Sequence, residues 1–244
     1  MTETIAGSVE GNYFDKYQSQ NRVHRFLVGK FIDNAQTLFQ KVSPIDVLEV
    51  GCASGGFASM LLTATNDLAQ VRYSGIDISR SQIEAARRNH PKADTTFEVA
   101  SATAIPWLDN SADLVIACEV LEHVGDPKSA IRELARVTRK HALVSVPREP
   151  IWRILNCLRG KYIAELANTP GHLQHFSRQR IRQMIAPEFR IVCERWPLPW
   201  TMMLLEKTDR NPHSCPDNCS NSCNTNPLHS AGTDDIGVDA QRDQ

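Results

Sequence analysis

Val47-Leu-Glu-Val-Gly-Cys-Ala-Ser-Gly-Gly-Phe57 runs from an apolar segment carrying one acid, Glu49, into a cluster of glycines. The apolar run from Ile45 to Val50 reads as a buried strand that stops at Gly51. Beyond Gly55, Phe57, Met60, Leu61 and Leu62 suggest a helix. Strand, glycine turn, helix is the expectation. Gly51 and Gly55 let the backbone pass close to a ligand, and Glu49 can accept hydrogen bonds from a polar or cationic group. The spacing is not the dinucleotide fingerprint G-x-G-x-x-G, because Ala53 stands two residues after Gly51.

On both sides of this stretch the alternation continues. Arg72–Asp77, Thr96–Val99, Leu114–Cys118 and Ala142–Val146 read as strands, and Ser79–Asn89 and Lys128–Val137 as helices. Upstream, Val23, Phe26, Leu27, Phe31, Leu38 and Phe39 mark one face of a helix that packs on the domain downstream of it. Strands alternating with helices imply an α/β domain with a doubly wound, mostly parallel sheet. Near its end, Phe189–Arg195 and Thr201–Lys207 are strands joined by Trp196-Pro-Leu-Pro-Trp200, a link that permits an antiparallel hairpin and no helical crossover. In an open sheet of this kind, ligands bind beyond the carboxyl ends of the strands where the strand order reverses. A second acid, Asp77, stands 22 positions after Gly55 at the tip of the next strand, placed to accept both hydroxyls of a ribose.

The composition limits the function classes. With 244 residues, 41% apolar and 23% charged, the chain is an ordinary folded protein rather than a fibrous or wholly disordered one. No apolar run approaches the length of a membrane span, and the polar start Met1–Glu10 lacks the layout of a signal peptide. Cys52, Cys118, Cys157 and Cys193 stand singly, which suits reduced thiols and a cytoplasmic location. Residues 128–195 carry 14 basic and 5 acidic side chains, a surplus that either favours an anionic ligand or covers solvated helix faces.

With strand, turn and second acid in this order, the chain resembles the class I S-adenosylmethionine-dependent methyltransferases, in particular their type 11-like branch. The resemblance covers Ile45 to Val146, more loosely to Lys207, and implies a Rossmann-like fold with S-adenosylmethionine as cofactor. It places the methionine end at Glu49, Gly51, Cys52, Ala53, Ser54 and Gly55, and the ribose at Asp77 beside Ile78. Ser101 and Ala102 would lie by the adenine, and Asp113 to Glu119, with Cys118, would form the fourth strand and its exit. Glu119-Val-Leu-Glu-His-Val124 matches a frequent family pattern at that exit. Two positions depart from the family: glycine is usual where Ala53 stands, and aspartate is common where Ser101 stands. A methyl group at position 53 is tolerable if φ stays negative, and a serine hydroxyl can still bond an adenine amine.

The sulfonium donor is already activated, so the protein has to align the acceptor and, for a hydroxyl, remove its proton. His123, which follows the fourth strand, is the first candidate base, ahead of His172 and His175, with Glu119 and Glu122 behind them. His172 and His175 belong to Asn168-Thr-Pro-Gly-His-Leu-Gln-His-Phe-Ser177, a loop that opens a helix at Ser177. Arg148 could bind a carboxylate or phosphate of the acceptor. The segment after Ile151 reads as a lid helix whose packing on the core is favoured over contact with an amphipathic acceptor or a membrane surface.

The domains expected are 1–44, a helical segment packing on the domain; 45–207, the cofactor-binding domain; and 208–244, a disordered tail without an aromatic residue. Cys215, Cys219 and Cys223 in the tail lack the two-residue thiolate knuckle of zinc sites, and no metal ligand is expected there or elsewhere in the chain. The function expected is methyl transfer to a small-molecule acceptor, anionic or amphipathic, at oxygen, with no DNA partner. RNA or protein methylation ranks lower, since no nucleic-acid module and no Asn-Pro-Pro-Tyr motif is present. A non-catalytic S-adenosylmethionine-binding protein is the remaining alternative.

Overall fold

In the computed structural model, residues 21–63, 71–90, 95–151 and 172–208 are described. Within them lies a seven-stranded sheet built from β1 (Asp46–Val50), β2 (Arg72–Asp77), β3 (Thr95–Val99), β4 (Ala112–Cys118), β5 (Thr138–Pro147), β6 (Phe189–Arg195) and β7 (Trp200–Lys207). The strand order is β3-β2-β1-β4-β5-β7-β6. β1 to β5 are parallel, and β7 runs antiparallel to β5 on one side and to β6 on the other. The doubly wound, mostly parallel sheet with its antiparallel C-terminal hairpin is thus as expected from the alternation. The order reverses between β1 and β4, and that point locates the ligand crevice.

The sheet is buried on both faces, and the period of two along β4 divides its side chains between them. Leu114 and Ile116 join Phe31, Leu38, Phe57, Leu61 and Ile83, which come from α1 (Arg22–Val42), α2 (Gly56–Leu62) and α3 (Arg80–Asn89). Val115 and Ala117 face the other way, into Ile131, Leu134, Ile181 and Ile185 of α4 (Pro127–Val137) and α5 (Arg178–Ile185). Helix starts follow capping chemistry. The Asn21 side chain accepts from the N–H groups of Val23 and His24, that of Asp126 from Ser129 just before Pro127 opens α4, and that of Ser177 from Arg180.

Boundaries shift by a few residues from those read in the sequence. β5 begins at Thr138 rather than Ala142 because Thr138 pairs with Ala112 of β4, and β7 begins at Trp200, which pairs with Pro147. Among the described residues, five of the 14 basic side chains of 128–195 form ion pairs: Arg136 with Glu133 and Asp109, Arg139 with Asp113, Arg178 and Arg182 with Glu194, and Arg190 with Glu206. No helix among the described residues is long and apolar enough to cross a membrane. The expected lid helix after Ile151, Cys157, the polar start and the tail lie outside the described residues.

Candidate functional site

The turn between β1 and α2 is wound through three left-handed residues, Gly51 (φ 75°), Ala53 (φ 45°) and Gly55 (φ 80°). Ala53 therefore does not meet the condition of a negative φ under which its methyl group would be free of strain. Its conformation is imposed from both sides, because Gly51 and Cys52 both donate to the Ile76 carbonyl (2.7 and 3.0 Å) and the Ala53 N–H donates to Asp77 Oδ2 (3.0 Å). A side chain at Gly51 would put Cβ 2.5 Å from Val120 Cγ2, and one at Gly55 would put it 2.5 Å from His90 Nε2. His90 Nε2 also lies 3.0 Å from the Gly55 carbonyl oxygen, and Asn89 Nδ2 donates to the Ser54 carbonyl (3.0 Å). Asn89 ends α3 and His90 caps it, so that helix braces the turn.

Asp77 is buried at the end of β2, and its two oxygens accept from Ala53 and, at 2.9 Å, from Ser79. Each carboxylate oxygen carries two acceptor sites, so an oxygen that already accepts one backbone bond can take a ligand hydroxyl as well. Glu49, 3% exposed, occupies the matching place near the end of β1. The Cys52 side chain turns into the core, touching the position of Gly75. Burial pushes its thiol far up, with Glu49 and Asp77 adding to the effect, so it is an inert packing group. Only the backbone of Cys52 is available to a ligand. The partly exposed Ile78 follows Asp77, and the Asp77 carbonyl accepts from Ala100, bringing the Ser101–Ala102 turn alongside. The Ser101 hydroxyl lies 2.9 Å from Thr103 Oγ1 and accepts from the Thr103 N–H, while Ala102 is buried.

Beyond the half-buried Cys118, Glu119 takes φ 63° and its carboxylate accepts from Trp200 Nε1 (2.6 Å) and Ser145 Oγ (3.3 Å). The Trp200 contact crosses 81 positions. No local pattern marks it, since it depends on the register of β7 beside β5. Glu119 is therefore fixed to the sheet, and the chain turns sharply into a 3₁₀ turn, Leu121–His123.

The three candidate histidines gather at this exit. Leu173 and Gln174 donate their N–H groups to the Glu122 carbonyl (2.8 and 3.0 Å), while Glu149 donates to the Phe176 carbonyl (3.1 Å). The loop is thereby stitched to the ends of β4 and β5. His172 meets His123 edge to face, ring centroids 4.9 Å apart, and His175 Nδ1 lies 3.5 Å from Glu149 Oε1. Burial, then the neighbouring His123 and His175, pull His172 down to about 4, so it is a neutral imidazole at pH 7. Arg148 donates its N–H to the Pro199 carbonyl, as part of the same seam. Glu122, Glu149, His90 and Trp200 are the residues whose weight the sequence reading underestimated or missed. Only Glu122 and Glu149 carried a signal, through their places after strands.

A family model described as a methyltransferase domain matches residues 48–146. The resemblance to class I S-adenosylmethionine-dependent methyltransferases is borne out over that segment. The chain is 41% identical over 97 residues to a 27-O-demethylrifamycin SV methyltransferase of Amycolatopsis mediterranei, covering 38% of this chain and 34% of the relative. It is 27% identical over 150 residues to an O-methyltransferase of Pyrenophora dematioidea, covering 60% and 55% respectively. The chain thus spans about a third to about half of the length of these two curated relatives. Among solved structures, the magnesium protoporphyrin IX methyltransferase of Synechocystis PCC 6803 with bound S-adenosylhomocysteine aligns with a TM-score of 0.60 at 18% identity, over 79% of this chain and 91% of that one. A protein from Pyrococcus horikoshii OT3 aligns with the same TM-score at 16% identity, over 80% and 97%. These likenesses establish the fold.

Proposed function

We propose that the chain transfers a methyl group from S-adenosylmethionine to a hydroxyl oxygen of a small molecule. The observation that carries the reading is the pair of buried carboxylates, Glu49 and Asp77, on adjacent strands beside a glycine turn at the switch point of a methyltransferase-like sheet. That donor set fits a ligand with an ammonium group at one end and a ribose diol in the middle. Glu49 and the backbone from Gly51 to Gly55 would hold the methionine end, Asp77 the ribose, and Ser101 and Ala102 the adenine. The cofactor supplies a sulfonium methyl: the carbon–sulfur bond breaks as the oxygen–carbon bond forms, leaving S-adenosylhomocysteine.

The residues of the chain handle the acceptor. Its proton goes to the histidine cluster at the ends of β4 and β5, with His123 first and His172 and His175 beside it. O-methylation is supported by the names of several relatives, which are O-methyltransferases. Isothermal titration with S-adenosylhomocysteine tests cofactor binding. Asp77→Ala should weaken it about tenfold or more, since hydrogen bonds to a charged group contribute roughly 1.5 to 3 kcal/mol. Unchanged affinity would remove the ribose assignment. Incubation with a native metabolite extract, read as a cofactor-dependent gain of one methyl mass, then tests the activity and identifies the acceptor.

A further inference from the structure

The folding of the loop onto the exit of β4 brings Glu122 together with two of the histidines assigned above to the acceptor's proton, His123 and His172. One ligand atom from each of Glu122, His123 and His172 falls within 4.8 Å of the other two. Glu122 and His123 are neighbours on the 3₁₀ turn, whereas His172 is 49 positions later in the chain and is delivered by the main-chain bonds from Leu173 and Gln174 to the Glu122 carbonyl. Two imidazoles and one carboxylate are a donor set suited to first-row divalent transition ions, and not to magnesium or calcium, which select all-oxygen sites. Three protein ligands leave at least one position open.

From this geometry we infer that Glu122, His123 and His172 bind a divalent transition ion of the zinc type, with an open position facing the acceptor side of the crevice. At bond lengths of about 2.0 to 2.2 Å, ligand atoms of a tetrahedral ion stand roughly 3.3 Å apart, so no pair in the cluster has to close by more than about 1.5 Å on loading. Glu122 and His172 can make that change by side-chain torsions, because the bonds from Leu173 and Gln174 hold the main chain next to His172 against the Glu122 carbonyl. Glu119 is not part of the set, since its carboxylate accepts from Trp200 and Ser145. His175 stands outside it, against Glu149.

The use of the ion rests on the proposed methyl transfer, although its binding does not. A hydroxyl that occupies the open position is acidified as metal-bound water is. In the loaded protein His123 and His172 serve as ligands in place of proton acceptors, the hydroxyl releases its proton to solvent or to His175, and the oxygen is then ready to form its bond to the methyl carbon as the carbon–sulfur bond breaks.

The test is a titration of the chelator-stripped full-length chain with Co²⁺, a spectroscopic stand-in for zinc, followed by competition with Zn²⁺. One equivalent should bind with ligand-field absorption and without a thiolate charge-transfer band, and Zn²⁺ should displace it. Glu122→Gln and His172→Gln, each checked for native circular dichroism, should each weaken binding at least tenfold. His175→Gln and the triple variant Cys215→Ser, Cys219→Ser, Cys223→Ser should leave it unchanged. His172 lies in a partly exposed loop and serves if the buried Glu122 variant does not fold. Absence of binding, a thiolate band that disappears in the triple variant, or unchanged affinity in both ligand variants would overturn the inference. Parallel titration with S-adenosylhomocysteine separates the two readings. Cofactor binding without Co²⁺ binding removes the ion alone, and the reverse removes the methyltransferase reading alone.

Discussion

Ala53 holds a left-handed conformation (φ 45°) because Asp77 accepts its N–H and Ile76 accepts the two N–H groups before it. A β-carbon in that region costs on the order of 1 kcal/mol relative to glycine. Ala53→Gly is therefore expected to raise the melting temperature by about 2 to 4 °C, the shift that 1 kcal/mol gives in a chain of this size, as read by calorimetry. Catalysis also turns on single side chains. General-base assistance is worth roughly 10² to 10⁴ in rate. His123→Gln should lower turnover by a factor in that range, persist at saturating acceptor, and leave S-adenosylhomocysteine affinity nearly unaltered. Normal turnover in that variant with a collapsed rate in His175→Gln would move the proton acceptor to the loop.

Between elements, acid–base pairs join strand to strand and helix to strand. Burial pushes the Asp113 carboxyl up. The N–H groups of Asp46 and Ile45 and the Arg139 guanidinium outweigh it and hold the group below its ordinary value. Glu194 behaves alike, with burial opposed by Trp196, Arg182 and Arg178. At Glu133 the Arg136 guanidinium is the largest influence and also lowers the group. A carboxyl whose folded value is depressed adds stability that is full above its unfolded value and is lost as the pH falls through the folded one. Chemical denaturation midpoints should thus stay flat from about pH 7 to 5 and fall below about pH 4. A flat profile to pH 3 would show that these pairs contribute nothing. Strands and helices are also the features most legible in the sequence. β2 runs from Arg72 to Asp77 as its apolar pattern indicates, and Ser177 caps α5 where the loop was expected to open a helix. The alternation implies parallel strands but leaves their order open, so the reversal between β1 and β4 is known from the structure alone. The Trp200 bond to Glu119 and the meeting of His172 with His123 were beyond that reading, because each joins segments whose distance apart is set by pairing register and not by local spacing.

Across the molecule, the chain is followed as far as Thr208, whose N–H and hydroxyl both donate to the Glu188 carbonyl (3.0 and 2.8 Å). We propose that the domain ends there. Removing residues 209–244 should leave the melting temperature and S-adenosylhomocysteine affinity unchanged, in the presence and absence of zinc. A fall of several degrees, or a zinc-dependent gain confined to the full chain, would assign the tail a structural part.

β7 lies between β5 and β6 although it comes after both in the chain. A ribosome releases residues in order, so β5 and β6 emerge before the strand that joins them. Until Lys207 has left the exit tunnel, the edge of β5 has no partner on that side, and the indole that holds Glu119 has no strand to present it. The exit of β4, where methyl acceptor and cofactor would meet, is in this sense the last part of the sheet to be finished during synthesis. A stalled or prematurely terminated chain would carry the whole glycine turn yet lack the strand that fixes the far wall of the crevice.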